Sequence, residues 1–461
     1  MEKRDYSALL ATLEKEYTQY APRSAALQTR AQKSLIDGGS HALRLLQPFS
    51  PRIVSAQGAW LRDEDDHEIL DFWQGHLGNI LGHNPGVVTE VLSRAFENRY
   101  GLQTGLVDQL QIETAEILCQ QTGAERVRFT TSGSLATMYA IMLARAYTGR
   151  ELVVKAGGGW HGAQPFGLKG VSYRDGFQQV EGEGLPAATK EIVITRYNDP
   201  EMLADQFRKI GDRVACFVVE PMLGAGGTIP ATQAYLEAAR QLTTRHGAVL
   251  ILDEVISGFR FRAGDAGALY GVRPDLATFG KIIGGGMPVA AVAGRAELMN
   301  LVGRVEGGRV KFSGGTYSAH PSSLLAARTL MTYLVDHKDE VYPRLARLGD
   351  KMRRQFETAF NQEGILARST GGDGVLADSS LGMVHFPYRD DVALDKPDLV
   401  FDPAVCDVTL GRRVLELALL LEDVQIVHAH GAVSTAHSED DLDRLGEACR
   451  KVARRVKASY R

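Results

Sequence analysis

Two unbroken apolar runs, Cys216-Phe217-Val218-Val219 and Val249-Leu250-Ile251-Leu252, constrain this chain more than any other feature. Each has the length of a strand, and neither alternates with polar residues. Such runs suit strands buried on both faces, hence a largely parallel sheet covered by helices. The surroundings agree. Between about residues 107 and 300 the pattern alternates, with helices expected at 110–118, 134–147 and 235–246 and strands at 126–129, 152–154 and 192–194. That is the signature of an α/β domain, whose chemistry belongs at the ends of its strands.

The flanks read differently. Leu9, Leu10, Leu13 and Tyr17 recur at helical spacing in a polar first segment that ends at Gly38-Gly39. Residues 52–72 read as short strands with a turn at 63–66. Beyond Pro321 a helix is expected at 324–334, and the remainder mixes helices and strands before a charged amphipathic helix at 439–456. Residues 369–374 and 390–402 read as loops. The division expected is an N-terminal segment, 1–106, a large α/β domain, 107–335, and a smaller α+β domain, 336–461. A length of 461 residues suits that division, at about 100–200 residues per domain.

Composition excludes several classes. With 44% hydrophobic and 23% charged residues the chain is not a disordered one. Its 52 basic and 56 acidic residues give a formal charge of −4, which argues against nucleic-acid binding by general charge. Cys119, Cys216, Cys406 and Cys449 lie far apart and form no C-x-x-C, so neither a metal site nor a redox motif is expected. Met-Glu-Lys-Arg-Asp at the start carries no apolar stretch of a secretory signal. The apolar stretch 414–421 contains Glu416 and is far short of the ~20 residues of a membrane span. A cytoplasmic protein is expected.

Four segments could carry chemistry. Gly157-Gly158-Gly159-Trp160-His161-Gly162 matches G-x-G-x-x-G after a strand, but Pro165 soon follows and no helix can open there. A nicotinamide oxidoreductase is therefore a remote alternative. The glycines suit a backbone that approaches something closely, with Trp160 and His161 presented beside it. Thr130-Thr131-Ser132-Gly133-Ser134 lies between a strand and a helix. It is either an ordinary Ser N-cap or an anion site, where free N–H groups, hydroxyls and the helix dipole meet a phosphate. Asp253 and Glu254 close the apolar run 249–252. Asp253 either caps the next turn or points into the ligand crevice, where a buried carboxylate needs a cationic partner. Lys281, in Phe279-Gly280-Lys281-Ile282-Ile283-Gly284, either reaches water at a loop edge or is buried with its pKa lowered, as a nucleophilic amine.

Together a phosphate cup, a strand-end Asp and a buried Lys, in that order, are what pyridoxal 5′-phosphate needs. At this point the chain resembles the class III, fold-type-I aminotransferases, and within them the glutamate-1-semialdehyde aminomutase group. The resemblance runs from Gly38-Gly39 through Gly82-His83-Asn84-Pro85, Ser132-Gly133-Ser134, Trp160-His161-Gly162 and Val219-Glu220-Pro221. It continues through Leu252-Asp253-Glu254-Val255-Ile256-Ser257-Gly258-Phe259-Arg260, Gly280-Lys281 and Gly314-Gly315-Thr316.

The resemblance implies a large domain with a mostly parallel seven-stranded sheet, an N-terminal segment that serves the small domain and a dimer arm, and a homodimer with shared active sites. It implies that Lys281 forms the imine with the cofactor and shuttles protons, and that Asp253 pairs with the pyridine nitrogen. Ser132, Gly133 and Ser134 would bind the phosphate. Trp160 and Val255 would cover the two ring faces, with His161 and Glu220 behind them. Thr316 would reach the phosphate across the dimer interface, and Arg44 would bind a substrate carboxylate. The expected activity is transfer of an amino group between a carboxylate-bearing donor and a keto acid, with an aminomutase or a racemase as alternatives. Leu135, Ala225, Ala319-His320-Pro321 and Gln74-Gly75-His76 depart from the family pattern and bear on substrate choice.

Overall fold

The computed structural model describes residues 4–173, 175–180, 182–183, 189–304 and 308–460; Met1, Glu2 and Lys3, part of the stretch read for a secretory signal, lie outside them. The central sheet has seven strands, numbered here along the chain: β1 Arg126–Thr130, β2 Leu152–Ala156, β3 Ile192–Thr195, β4 Val214–Val219, β5 Val249–Asp253, β6 Leu276–Phe279 and β7 Ala290–Gly294. Their order is β1-β7-β6-β5-β4-β2-β3. Only β7 runs antiparallel to its neighbours; the other pairs are parallel. β2, β4, β5, β6 and β7 are buried at every residue, so a polar side chain in them must find a partner inside.

The register brings the reactive segments together. Leu252 pairs with Val219, which sets Asp253 beside Glu220. Asp253 pairs with Thr278, three residues before Lys281. β2 ends at Ala156, next to the glycine loop. These ends share one edge of the sheet, the edge at which open α/β folds bind ligands.

Helix Gly133–Thr148 follows β1. It buries Ala136, Ala140, Ile141, Leu143 and Ala144 and stops at left-handed Gly149. The first segment is two helices, Ser7–Tyr20 and Pro22–Ala31, because Pro22 starts a new helix rather than continuing the old one. Strands Ile53–Gln57, Trp60–Asp63 and Glu68–Asp71 form a sheet that Val424–Gln425 completes, so the two ends of the chain share a sheet. The last helix, Glu439–Ala458, opens with a Ser438/Asp441 capping box and buries Leu442, Leu445, Cys449, Val452 and Val456.

Two loop assignments need correction. Ser369 and Thr370 belong to the strand Arg368–Thr370, which pairs with Leu381–His385. Residues 390–402 contain the short helix Pro397–Val400, opened by a proline at its first position. All four cysteines are free. No helix among the described residues is long and apolar enough to cross a membrane.

Candidate active site

A cavity of about 580 Å³ opens at the carboxyl ends of the strands, and its wall includes Ser132, Gly133, Ser134, Trp160, His161, Glu220, Asp253, Val255, Lys281 and Arg44. Ten of the residues singled out in the sequence thus meet in one place. Thr316 does not join them: it is exposed, and its backbone carbonyl accepts a hydrogen bond from Gln103 at 2.6 Å.

The helix N-terminus forms one wall. Ser132 is the N-cap and its hydroxyl accepts from the Leu135 N–H. Among the described residues the N–H groups of Gly133 and Ser134 have no protein acceptor, as expected for the first turn of a helix. A Cβ on Gly133 would lie 3.0 Å from both Val255 methyls. A Cβ on Gly162, whose φ is +87°, would lie 2.3 Å from Ser134 Oγ. The glycine loop is therefore pressed onto this helix end, not onto a helix of its own, and the Thr137 hydroxyl ties it there through the His161 carbonyl at 2.6 Å.

Asp253 is 3% exposed. Its Oδ1 accepts from the Thr278 hydroxyl at 3.0 Å and the Val255 N–H at 3.1 Å. Its Oδ2 lies 2.7 Å from His161 Nδ1. In place of the cationic partner expected for it stands an imidazole, whose pKa burial holds below the usual value. A fixed carboxylate that faces a cavity without an arginine or lysine in contact is set up to receive a cation from a ligand. Glu220 accepts from the Trp160 N–H at 2.8 Å and the Gly224 N–H at 3.0 Å, which joins two cavity loops. Burial and the nearby Asp253 charge raise its pKa.

Lys281 opens the turn Lys281–Gly284 with a left-handed φ of 47°, an uncommon conformation that gathers at functional sites. Its Nζ has no hydrogen-bond partner among the described residues, and burial lowers its pKa. A second lysine, Lys155, escaped the sequence reading. It stands in β2 as a lone cation in an apolar strand, the same signal that marked Lys281. Its ammonium is fully buried and donates to the carbonyls of Gly159, Gly167 and Lys169 at 2.9, 3.0 and 2.8 Å. It clamps the loop that carries Trp160 and His161.

His41, His76 and Asn79 complete the wall near Arg44. Gln74, Gly75, His76 and Leu77 are four successive left-handed residues, a strained turn that no turn-residue rule would signal, since only one of them is glycine. Burial and the neighbouring cations push the His76 pKa down to about 3, so it is a neutral imidazole. Arg44 ends the short 3₁₀ turn Ala42–Arg44 and has no ion-pair partner among the described residues.

A mostly parallel seven-stranded sheet with a lysine, a carboxylate and a helix N-terminus converging on one cavity defines a fold-type-I pyridoxal-phosphate enzyme. The class-III aminotransferase family model matches residues 46–375, and the chain belongs to that pyridoxal-phosphate-dependent family. The chain is 33% identical over 413 residues to a glutamate-1-semialdehyde 2,1-aminomutase of Laribacter hongkongensis, covering 88% of this chain and 93% of that one. An omega-transaminase from Sphaerobacter thermophilus superposes with a TM-score of 0.84 at 30% identity, covering 94% of this chain and 97% of that one. A beta-phenylalanine aminotransferase from Variovorax paradoxus superposes with a TM-score of 0.83 at 27% identity over 97% of both chains.

Proposed function

We propose that the chain transfers an amino group between a carboxylate-bearing amino donor and a keto acid. The observation that carries this reading is that Arg44, Lys281, Asp253 and the helix N-terminus share one cavity. Their chemistry fits pyridoxal phosphate: free N–H groups for its phosphate, a fixed carboxylate for its ring nitrogen and an unbonded amine for its aldehyde. When bound, the cofactor takes up the amino group and draws electrons from the carbon that bore it.

The chain's residues supply the rest. Gly133 and Ser134, with the hydroxyls of Ser132 and Ser134, hold the phosphate at the positive end of the helix. Asp253, held in place by Thr278, Val255 and His161, keeps the ring nitrogen protonated. Trp160 and Val255, on the wall of the same cavity, would cover the two ring faces. Lys281 Nζ takes the proton from the donor's amine-bearing carbon and returns one to the acceptor. Its lowered pKa keeps more of it in the basic form near neutrality. Glu220 and Lys155 are positioning residues, which fix the loops around Trp160 and His161.

Arg44 selects the substrate: its guanidinium fork grips a carboxylate through two parallel hydrogen bonds. Each such contact is worth about 1.5–3 kcal/mol, so Arg44→Ala should lower kcat/KM for an amino acid at least tenfold. Activity on a matched amine lacking the carboxylate should barely change. Equal losses on both would remove Arg44 from this role.

The active unit in this reading is a homodimer in which Thr316, exposed on its own chain, reaches the phosphate in the neighbouring subunit. Thr316→Val should then weaken cofactor retention, and so should dilution, because dimerisation and binding are linked. A monomer in light scattering that keeps its cofactor would refute the shared site.

The name of the Laribacter relative favours a second reading, an aminomutase that shifts the amino group within one molecule. The two separate on one experiment. Holoenzyme is screened with amino donors, each with pyruvate or 2-oxoglutarate, and separately with glutamate-1-semialdehyde alone. A transferase turns over only when donor and keto acid are both present. Conversion of the semialdehyde alone, with no transfer to either keto acid, would overturn our reading in favour of the mutase.

A further inference from the structure

A second cavity, of about 240 Å³, is lined by Leu45 and Leu417 on its apolar side and by Arg412, Arg413, Glu416 and His428 on its polar side. Leu45 directly follows Arg44, so one short segment borders both cavities.

Two buried atoms of these side chains, Glu416 Oε1 and His428 Nδ1, have no hydrogen-bond partner among the described residues, with the His428 backbone N–H near the Glu416 carboxyl and the Arg412 carbonyl near the His428 ring. Glu416 is only 7% exposed. An unpartnered buried polar atom is costly and rare, and both of these side chains line the cavity. The local backbone is unusual on both sides. Arg412 and Arg413 lie in the π-helical turn Leu410–Val414, a form that recurs at functional sites. His428 and Ala429 are left-handed, with φ of 51° and 66°.

The chemistry of the wall narrows the occupant. Glu416 Oε2 lies 3.9 Å from His428 Nδ1, so the two side chains together offer acceptors to a group with several N–H donors. The titratable and charged groups facing them are Glu14 from the first helix and Arg412 and Arg413 from the π-turn. Arg413 lies 3.8 Å from Glu14. Arg412 has no ion-pair partner among the described residues, and its guanidinium sits 5.3 Å from the Phe401 ring centroid. That leaves a guanidinium available for a carboxylate. Burial raises the Glu416 pKa to about 8 and lowers that of His428 to about 4. An entering ammonium would therefore pair with Glu416 as the carboxylate, the Glu416 proton passing to solvent. A volume of about 240 Å³ lies below that of pockets for drug-sized ligands, which leaves room for a small ligand such as a single free amino acid.

We propose that this cavity is a second ligand site that takes a small apolar amino acid, its ammonium on Glu416 and His428 and its carboxylate on Arg412. The ligand touches Leu45, so occupancy would shift the segment that carries Arg44.

Calorimetry on the holoenzyme tests it, after borohydride reduction has closed the cofactor site to amines. The probes are leucine, 4-methylpentanoate, which lacks the amine, and isoamylamine, which lacks the carboxylate. Leucine should bind with one site per chain, in the wild type and in Arg44→Ala alike. Both analogues should bind at least tenfold more weakly. Glu416→Gln should weaken leucine at least tenfold, and Arg412→Ala, on the other side of the ligand, should do the same if Glu416→Gln fails to fold. Absence of saturable heat would mean that only water fills the cavity. Binding lost in Arg44→Ala but kept in Glu416→Gln would place the leucine in the active-site cavity, and an amine that binds as well as leucine would sink the zwitterion.

Discussion

Lys281→Ala should leave a folded protein that still holds its cofactor and turns over more slowly by several orders of magnitude. Lys281 Nζ has no hydrogen bond among the described residues to lose, and the N–H groups of Gly133 and Ser134 proposed for the phosphate are untouched by the change. In the proposed mechanism the group lost is the one that moves the proton, and positioned acid–base help alone is worth about 10²–10⁴ in rate. Lys155→Ala should behave in the opposite way. It strips the donor from three carbonyls, those of Gly159 and Gly167 buried and that of Lys169 half-buried, at about 1–3 kcal/mol for each buried one left unpaired. Its melting temperature should fall well below that of Lys281→Ala. Near-normal turnover in Lys281→Ala, measured by product formation, would remove Lys281 from the chemistry.

Asp253→Asn should leave the fold intact and slow proton abstraction by about two orders of magnitude or more, the scale seen when one preorganised electrostatic contact is removed. The asparagine carbonyl can still accept from Thr278 and the Val255 N–H, and its amide can face His161. Only the negative charge disappears, and with it the reason for the ring nitrogen to stay protonated. Donor binding should change far less than the single-turnover rate of cofactor conversion, followed by absorbance. Equal single-turnover rates in mutant and wild type would show that another acid does this work.

The parts of the fold and the site that were legible in the sequence share a cause. Val214–Val219 and Val249–Asp253 are buried at every position, so their apolar runs are unbroken. The helix at Gly133 starts where Ser132 caps it. Local chemistry reports these directly. Arg368–Thr370 was not legible because a three-residue polar strand exists only through its pairing with Leu381–His385, a contact that no local pattern carries. The reversed direction of β7 is likewise a property of its neighbours. The left-handed turn Gln74–Leu77 is held by Asp71, whose carboxylate accepts from the Trp73 and Gln74 N–H groups, and nothing in its own residues demands that shape. Lys155 is legible by the same sign. It shares the apolar setting of Lys281, and what separates the two is whether carbonyls surround the ammonium, which only the folded loop decides.

That pair of lysines offers the most direct test. The purified holoenzyme is reduced with borohydride, digested, and the peptide carrying the mass of the reduced cofactor is sequenced by mass spectrometry. The expected result is a single modified site at Lys281, with Lys155 unmodified because its three hydrogen bonds hold it away from the aldehyde. A cofactor adduct on Lys155, or on any lysine other than Lys281, would contradict the assignment on which the proposed mechanism stands.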